Sequence, residues 1–255
     1  MKVLLVGGSG MVGTFVTPYL AKRHEVRVLD VVPPKHADLV DFVQGSISDP
    51  ADVARALDGM DTFVTMVMRN AGGANETEQT PESILNNYQV NTVGLHLFLW
   101  TAQSMGITRG VHVSTRSVHF QRRTQDGRIV RYEAEETSAL DAASVYGFTK
   151  GLGERICQYF CSYFGMRIVA LRITGPRTRE AFIAERRNPI YPELYVMDEE
   201  DLADAILRSL DVVQVGEARF DPVLIAADEH QRDHNITKAK LLLGWEPRGQ
   251  RLLEG

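Results

Sequence analysis

Apolar and polar positions along this chain alternate between short, wholly apolar runs and longer stretches of helical period. KVLLVG (2–7) is apolar almost throughout, the pattern of a strand buried on both faces of a sheet. A helical pattern follows from about Met11 to Arg23, and EVRVLD (25–30) and LVDFVQG (39–45) predict a second and a third strand. DPADVARALDG (49–59) predicts a helix with Asp49 as N-cap and Pro50 in its first position. DTFVTMVM (61–68) predicts a fourth strand, followed by a polar, glycine-containing loop from Arg69 to about Thr80. Pro81 opens a long helix to about Met105, and GVHVST (110–115) predicts the fifth strand. A charged loop (119–140), a helix over about 142–164 and the strand RIVALRI (167–173) come next. Beyond Ile173 the pattern weakens: a short strand and a helix over 193–212, a strand at 222–227, and a short helix over 235–247 with a glycine stop. Strands alternating with helices predict a parallel sheet covered on both faces. Residues 1–173 carry that pattern, and 174–255 are expected as a small appendage integrated with it.

Composition narrows the function classes. The chain has 255 residues, 44% of them hydrophobic, enough for one large core. The net charge of -5 is spread along the chain and leaves no nucleic-acid footprint. No apolar run approaches the roughly 18 residues of a spanning helix. The apolar start is broken by glycines too early for a signal peptide. A cytoplasmic protein without membrane or nucleic-acid partners is expected. Cys157 and Cys161 stand four apart within a helical pattern and are expected to pack on one helix face rather than form a disulfide or metal site. His230 and His234 are also four apart, but no third ligand accompanies them, and no metal is expected.

The first candidate chemistry is VGGSGMVG. Gly7, Gly10 and Gly13 lie between the first strand and the first helix. Glycines there let the backbone turn tightly and approach a pyrophosphate, while the helix start at Met11 and Val12 offers unpaired N–H groups and a positive dipole end. Asp30 ends the second strand, where a carboxylate accepts hydrogen bonds from adenosine ribose hydroxyls and repels a 2′-phosphate. The cofactor expected is NAD rather than NADP.

The second is SVYGFTK, which places Tyr146 and Lys150 on one helix face. An ammonium beside a phenol is expected to lower its pKa, making Tyr146 a general acid/base for hydride transfer. With GGSGMVG and the tail LLLGWEP, this stretch resembles the extended short-chain dehydrogenase/reductase family, the NAD-dependent epimerase/dehydratase group, over nearly the whole length. The resemblance implies a Rossmann-type doubly wound α/β fold, and a C-terminal region that binds substrate. It also implies that Lys150 holds the nicotinamide ribose, that Thr115 in VHVSTRSVHF bonds the reacting oxygen, and that Asn91, grouped with the cofactor residues, is the family's helix asparagine, structural or part of a proton relay rather than a catalyst. Two departures stand out. The fourth strand ends TMVM where the family has a His-Leu-Ala-Ala-like run, so Met66 and Val67 form the cofactor wall. The third strand runs into QGSISD, so Ser46 replaces the family's acid and Ile47 is left to pack on the adenine.

Between Arg172 and the acidic helix lie only about two dozen residues, too few for the nucleotide grip of nucleotide-sugar members. The substrate expected is therefore a small sugar or sugar acid, and the frame resembles that of the uronate dehydrogenases. A carboxylate calls for a guanidinium. Arg172 is the first candidate, with Arg116, Ser117 and His119 lining the sugar site and Arg177 and Arg179 adding positive charge. The two long helices are apolar on more than one side, and a homodimer through them is expected. Two other readings stay open: a nucleotide-sugar epimerase or dehydratase that recycles NAD, and a non-catalytic NAD-binding regulator.

Overall fold

Seven strands form one parallel sheet in the order β3-β2-β1-β4-β5-β6-β9. They are β1 (Lys2–Val6), β2 (Glu25–Asp30), β3 (Asp41–Gln44), β4 (Thr62–Thr65), β5 (Arg109–Thr115), β6 (Arg167–Ile173) and β9 (Arg219–Ile225). A separate two-stranded ribbon pairs β7 (Pro176–Arg177) with β8 (Met197–Asp198). The computed structural model describes residues 1–68, 79–120, 122–128, 130–132, 134–187 and 196–248. Most of the loop expected at 69–80 and the start of the strand expected at 193 lie outside them.

Each face of the sheet carries its own core. Helices α1 (Met11–Leu20) and α7 (Glu199–Val213) pack on one face, burying Val16, Leu20, Ile206 and Leu210 against Val3, Val111 and Val169. Helices α2 (Pro50–Leu57), α3 (Pro81–Tyr88), α4 (Leu95–Ser104) and α5 (Val145–Phe164) lie on the other, where Phe63, Phe98 and Phe160 are fully buried. This is the doubly wound arrangement expected. Its order reverses between β1 and β4, and ligands of such sheets bind at that switch point beyond the carboxyl ends of the strands.

Local chemistry explains the boundaries. Asp49 caps α2 by accepting from the Ala51 and Asp52 amides, and Thr80 and Ser83 form a reciprocal capping box that opens α3. The single helix expected over 81–105 is interrupted: Gln89–Gly94 forms a π-helical turn between α3 and α4. A side chain at Gly94 would meet Ile47 Cγ2 at 2.8 Å, so glycine lets this turn close on the sheet. Ser144 caps α5 at the Gly147 amide, and Gly165 ends it in a left-handed conformation, φ 69°.

The region beyond 173 is continuous with the sheet, since β9 pairs along all seven residues of β6 and α7 covers β5 and β6. One expectation is corrected. A helix, α6 (Arg179–Arg187), forms where a short loop was expected.

Candidate active site

At the switch point the chain leaves β1 through Gly7, whose φ of +81° favours glycine. Gly10 is the N-cap of α1 and offers no side-chain cap, and no acid stands in the first turn. The first amides of α1 therefore face an open cleft with the dipole uncompensated, a cradle suited to a phosphate. Gly13 does different work: a Cβ there would lie 2.1 Å from the Gly8 carbonyl oxygen, so it permits the helix to pack on the loop. Asp30 closes the loop from β2. Its Oδ2 accepts from the Ser9 amide at 3.0 Å and its Oδ1 from the Val31 amide at 2.7 Å.

Apart from Gly13, these residues border one cleft of about 720 Å³. Gly7, Gly10, Met11, Val12, Asp30, Ser46, Ile47, Met66 and Val67 line it at one end, and Thr115, Ser117, Tyr146 and Lys150 at the other. The volume lies in the range of ligand and cofactor sites. The glycine cradle, the uncapped helix start and the Asp30 carboxylate at the cleft's edge fit a dinucleotide. Asn91 does not line this cleft. It is buried in the π-helical turn, where its amide donates to Thr149 Oγ1 of α5 at 3.0 Å, and it ties two helices together. Ser9, Val113 and Pro176 line the cleft and were missed in the sequence. Ser9 is the one with a signal, a hydroxyl between the first two turns of the glycine loop.

At the reacting end, Thr115 terminates β5 and Tyr146 stands in the first turn of α5. Gly147 makes the approach possible, since a Cβ there would lie 2.0 Å from the Ser117 carbonyl oxygen. Thr115 Oγ1 accepts from the Ser117 amide at 3.1 Å. Burial raises the Tyr146 pKa, and the neighbouring Thr115 side chain only partly offsets it. The expected lowering by Lys150 is thus corrected for the chain itself: the Lys150 ammonium is engaged elsewhere. Its Nζ donates to the Val113 carbonyl at 2.7 Å and lies 3.5 Å from His112 Nε2. Burial pushes the Lys150 ammonium down to about 8.

Arg172 requires the largest correction. It is buried and forms a bidentate pair with Glu154 of α5, with Nη2 at 2.8 Å and Nε at 3.0 Å, while Nη1 donates to the Glu135 carbonyl. Ser114 Oγ donates to the same Glu154 carboxylate at 2.6 Å. Each guanidinium nitrogen donates within the fold, and the buried side chain does not line the cleft. Arg177 pairs with Glu185, and Arg179 with Asp198 and Glu200. Arg116 is different: its Nε is buried without a hydrogen-bond partner, and burial lowers its pKa against the opposing field of Glu135. His119 is buried beside Glu135, Nε2 to Oε2 4.0 Å, and is held down to about 4, chiefly by burial and then by Arg116. Cys157 and Cys161 are both buried free thiols on α5. His234 is buried, with Nδ1 4.0 Å from Asp228 Oδ2. Among the described residues no three His, Cys, Asp or Glu side chains converge as a metal site, and no helix is long and apolar enough to cross a membrane.

The chain is similar to several characterised proteins. It is 31% identical over 181 residues to a 3β-hydroxysteroid dehydrogenase/Δ5→4-isomerase of Mycobacterium tuberculosis, a match covering 68% of this chain and 46% of that protein. The chain thus spans about half the length of these mycobacterial relatives. It is 24% identical to the L-arabinose 1-dehydrogenase (NAD(P)(+)) of Haloferax volcanii, over 97% of this chain and 96% of that one. Its fold superposes on the uronate dehydrogenase of Agrobacterium tumefaciens with a TM-score of 0.72 at 20% identity, covering 99% of this chain and 88% of the other. Residues 3–191 match the NAD dependent epimerase/dehydratase family. This match over residues 3–191 places the chain in the NAD dependent epimerase/dehydratase family.

Proposed function

We propose that this chain is an NAD-dependent dehydrogenase that oxidises a secondary alcohol or hemiacetal carbon of a small sugar, with Tyr146 as general acid/base. The observation that carries this reading is that Thr115, Tyr146 and Lys150 line one end of the cleft whose other end is lined by the glycine loop and Asp30. When bound, NAD accepts the hydride. The uncapped start of α1 holds the pyrophosphate and Asp30 the adenosine ribose. Tyr146 takes the alcohol proton, Thr115 orients the reacting oxygen, and Lys150 supplies the positive charge that steadies the phenolate. The raised resting pKa of Tyr146 means that this charge must act in the loaded site.

The compact C-terminal region supports a small substrate. The full-length match to an arabinose dehydrogenase points the same way. An anionic sugar is the weaker choice, since Arg172, Arg177 and Arg179 are committed to carboxylates and Arg116 carries that reading among the described residues. An exposed stripe of Val93 and Trp100 on one side and Tyr159 and Tyr163 on α5 supports a homodimer through the two long helices.

The test is absorbance at the reduced-nicotinamide band with NAD⁺ and a panel of neutral aldoses, uronic acids and simple alcohols. Stoichiometric NADH with an aldose is the expected result, and NADH with uronic acids alone would assign the anionic substrate to Arg116. Tightly held NAD with no net reduction would overturn dehydrogenation in favour of epimerisation. Binding of NAD without any turnover would favour a regulatory protein.

A further inference from the structure

The scheme above leaves one buried imidazole of the sheet unused. His112 lies in the middle of β5, opposite Thr65 in the register with β4, and is 2% exposed. Its Nδ1 is 2.8 Å from Thr65 Oγ1 and its Nε2 is 3.5 Å from Lys150 Nζ. Three side chains from three elements are thereby strung together: Thr65 of β4, His112 of β5 and Lys150 of α5.

We propose that His112 is a positioning residue for Lys150: a neutral imidazole that donates Nδ1–H to Thr65 and accepts from the ammonium at Nε2. The inference rests on the reading of Lys150 as the cation beside Tyr146 and the cofactor. The geometry fixes the tautomer. An ammonium has three donors and no acceptor, so Nε2 must be the unprotonated nitrogen, and the proton must sit on Nδ1, where Thr65 Oγ1 can accept it. An imidazolium 3.5 Å from an ammonium, away from water, would place two like charges in contact. Burial and Lys150 both hold the His112 pKa well below its ordinary value, in agreement.

This arrangement has a use. Val113 O takes one N–H of Lys150 and His112 Nε2 a second, leaving the third for the cleft that Lys150 lines. The 3.5 Å separation is at the long end for a hydrogen bond, so His112 acts as a weak, directional acceptor rather than a counter-ion. A carboxylate in its place would bind the ammonium and draw its charge away from Tyr146. The other titratable groups around the pair do not compete. Tyr146 and the thiol of Cys157 are held protonated by burial on α5, and Glu154 is committed to Arg172 of β6.

The test uses the full-length chain without cofactor or substrate. Nitrogen-15 NMR of labelled histidine reads the tautomer, with His112 assigned by its loss in His112→Leu. Carbon-13 NMR of labelled lysine reads the titration of Lys150, assigned by Lys150→Met. The expected result is an Nδ1–H tautomer that is still neutral well below the ordinary histidine midpoint. In His112→Leu the Lys150 midpoint falls by about half a unit, a threefold loss of proton affinity, because the charged form loses an acceptor. His112→Gln, which restores an acceptor near the Nε2 position, returns the midpoint toward the parent value, and NADH affinity follows the same order. An Nε2–H tautomer in the parent protein overturns the proposal even if His112→Leu fails to fold, and so does an unmoved Lys150 midpoint in a folded His112→Leu. Neither result bears on whether Tyr146 transfers a proton, which is read separately from turnover of Tyr146→Phe.

Discussion

Arg172 separates a structural role from a substrate role, and a double-mutant cycle with Glu154 measures which one it has. Both side chains are 2–3% exposed and share a bidentate contact at 2.8 and 3.0 Å. Glu154→Gln keeps the shape but removes the negative charge, leaving a guanidinium buried against a neutral amide. Breaking one side of such a pair costs about 3–5 kcal/mol. For a chain of this size each kcal/mol moves the thermal midpoint by about 2–4 °C, so Glu154→Gln should melt roughly 6–20 °C lower. Arg172→Met leaves a buried carboxylate, which can escape part of the penalty by taking up a proton, so its cost should shrink on going from pH 8 to pH 5. Removing both charges with Glu154→Gln and Arg172→Met together should cost less than the sum of the two singles, by about 1–3 kcal/mol. Urea denaturation of the four proteins at pH 8 gives the cycle directly. Additive costs, together with a raised KM for acidic sugars alone in Arg172→Met, would refute the buried pair as the reason for this arginine.

Tyr146→Phe should lower kcat at least roughly 10²-fold while NADH still binds, and near-normal turnover would remove Tyr146 from the proton transfer. Asp30→Asn drops the charge and keeps one acceptor oxygen of the two that serve the Ser9 and Val31 amides, so NADP should become usable, and an unchanged NAD/NADP ratio would deny Asp30 its discriminating role. His119 takes up its proton near 6.5 when unfolded but near 4 when folded, so the unfolded chain holds the excess proton between these values. Stability should therefore fall as the pH drops from 6.5 to 4, by up to about 3 kcal/mol from this ring. His119→Phe should flatten that limb in urea midpoints taken at pH 7.5, 5.5 and 4.5, and an equally steep limb in the variant would discard the assignment; His234, also held down to about 4, keeps the remainder. Tyr163→Glu, at a position 76% exposed on α5, should convert a dimer to a monomer in sedimentation runs, and unchanged mass would locate the interface elsewhere.

The cofactor end of the site was legible because its chemistry is local. A strand, three glycines and a helix start lie within thirteen residues, and Asp30, the acid at the cleft, ends the next strand. Tyr146 and Lys150 were legible for the same reason, as one helix face. What escaped was set by tertiary pairing. The sequence offers Arg172 as a free cation, and only the packing of α5 against β6 reveals Glu154 eighteen residues earlier as its partner. A hint was present: Glu154 stands four residues after Lys150, one turn further along the same helix face. Likewise the depressed phenol pKa assumed that Lys150 acts on Tyr146 alone, whereas His112 and Val113 on β5 claim the ammonium. The π-helical turn left no mark in the periodicity, since one wide turn shifts the apolar stripe by less than the stripe's own width.

The pairing of β9 along β6 governs how this protein can be made as well as how it stands. Until residue 225 has left the ribosome, β6 is a sheet edge with seven unpaired residues, and the face that α7 covers is open. Such an edge is a template for pairing with another chain. The reacting residues are all synthesised by then, yet β6, which carries Arg172 against their helix, stays unsupported on one side. Folding is therefore committed late, by contacts between distant parts of the chain. A fragment ending at 173 would hold both sequence motifs and still be a poor enzyme and a ready aggregate.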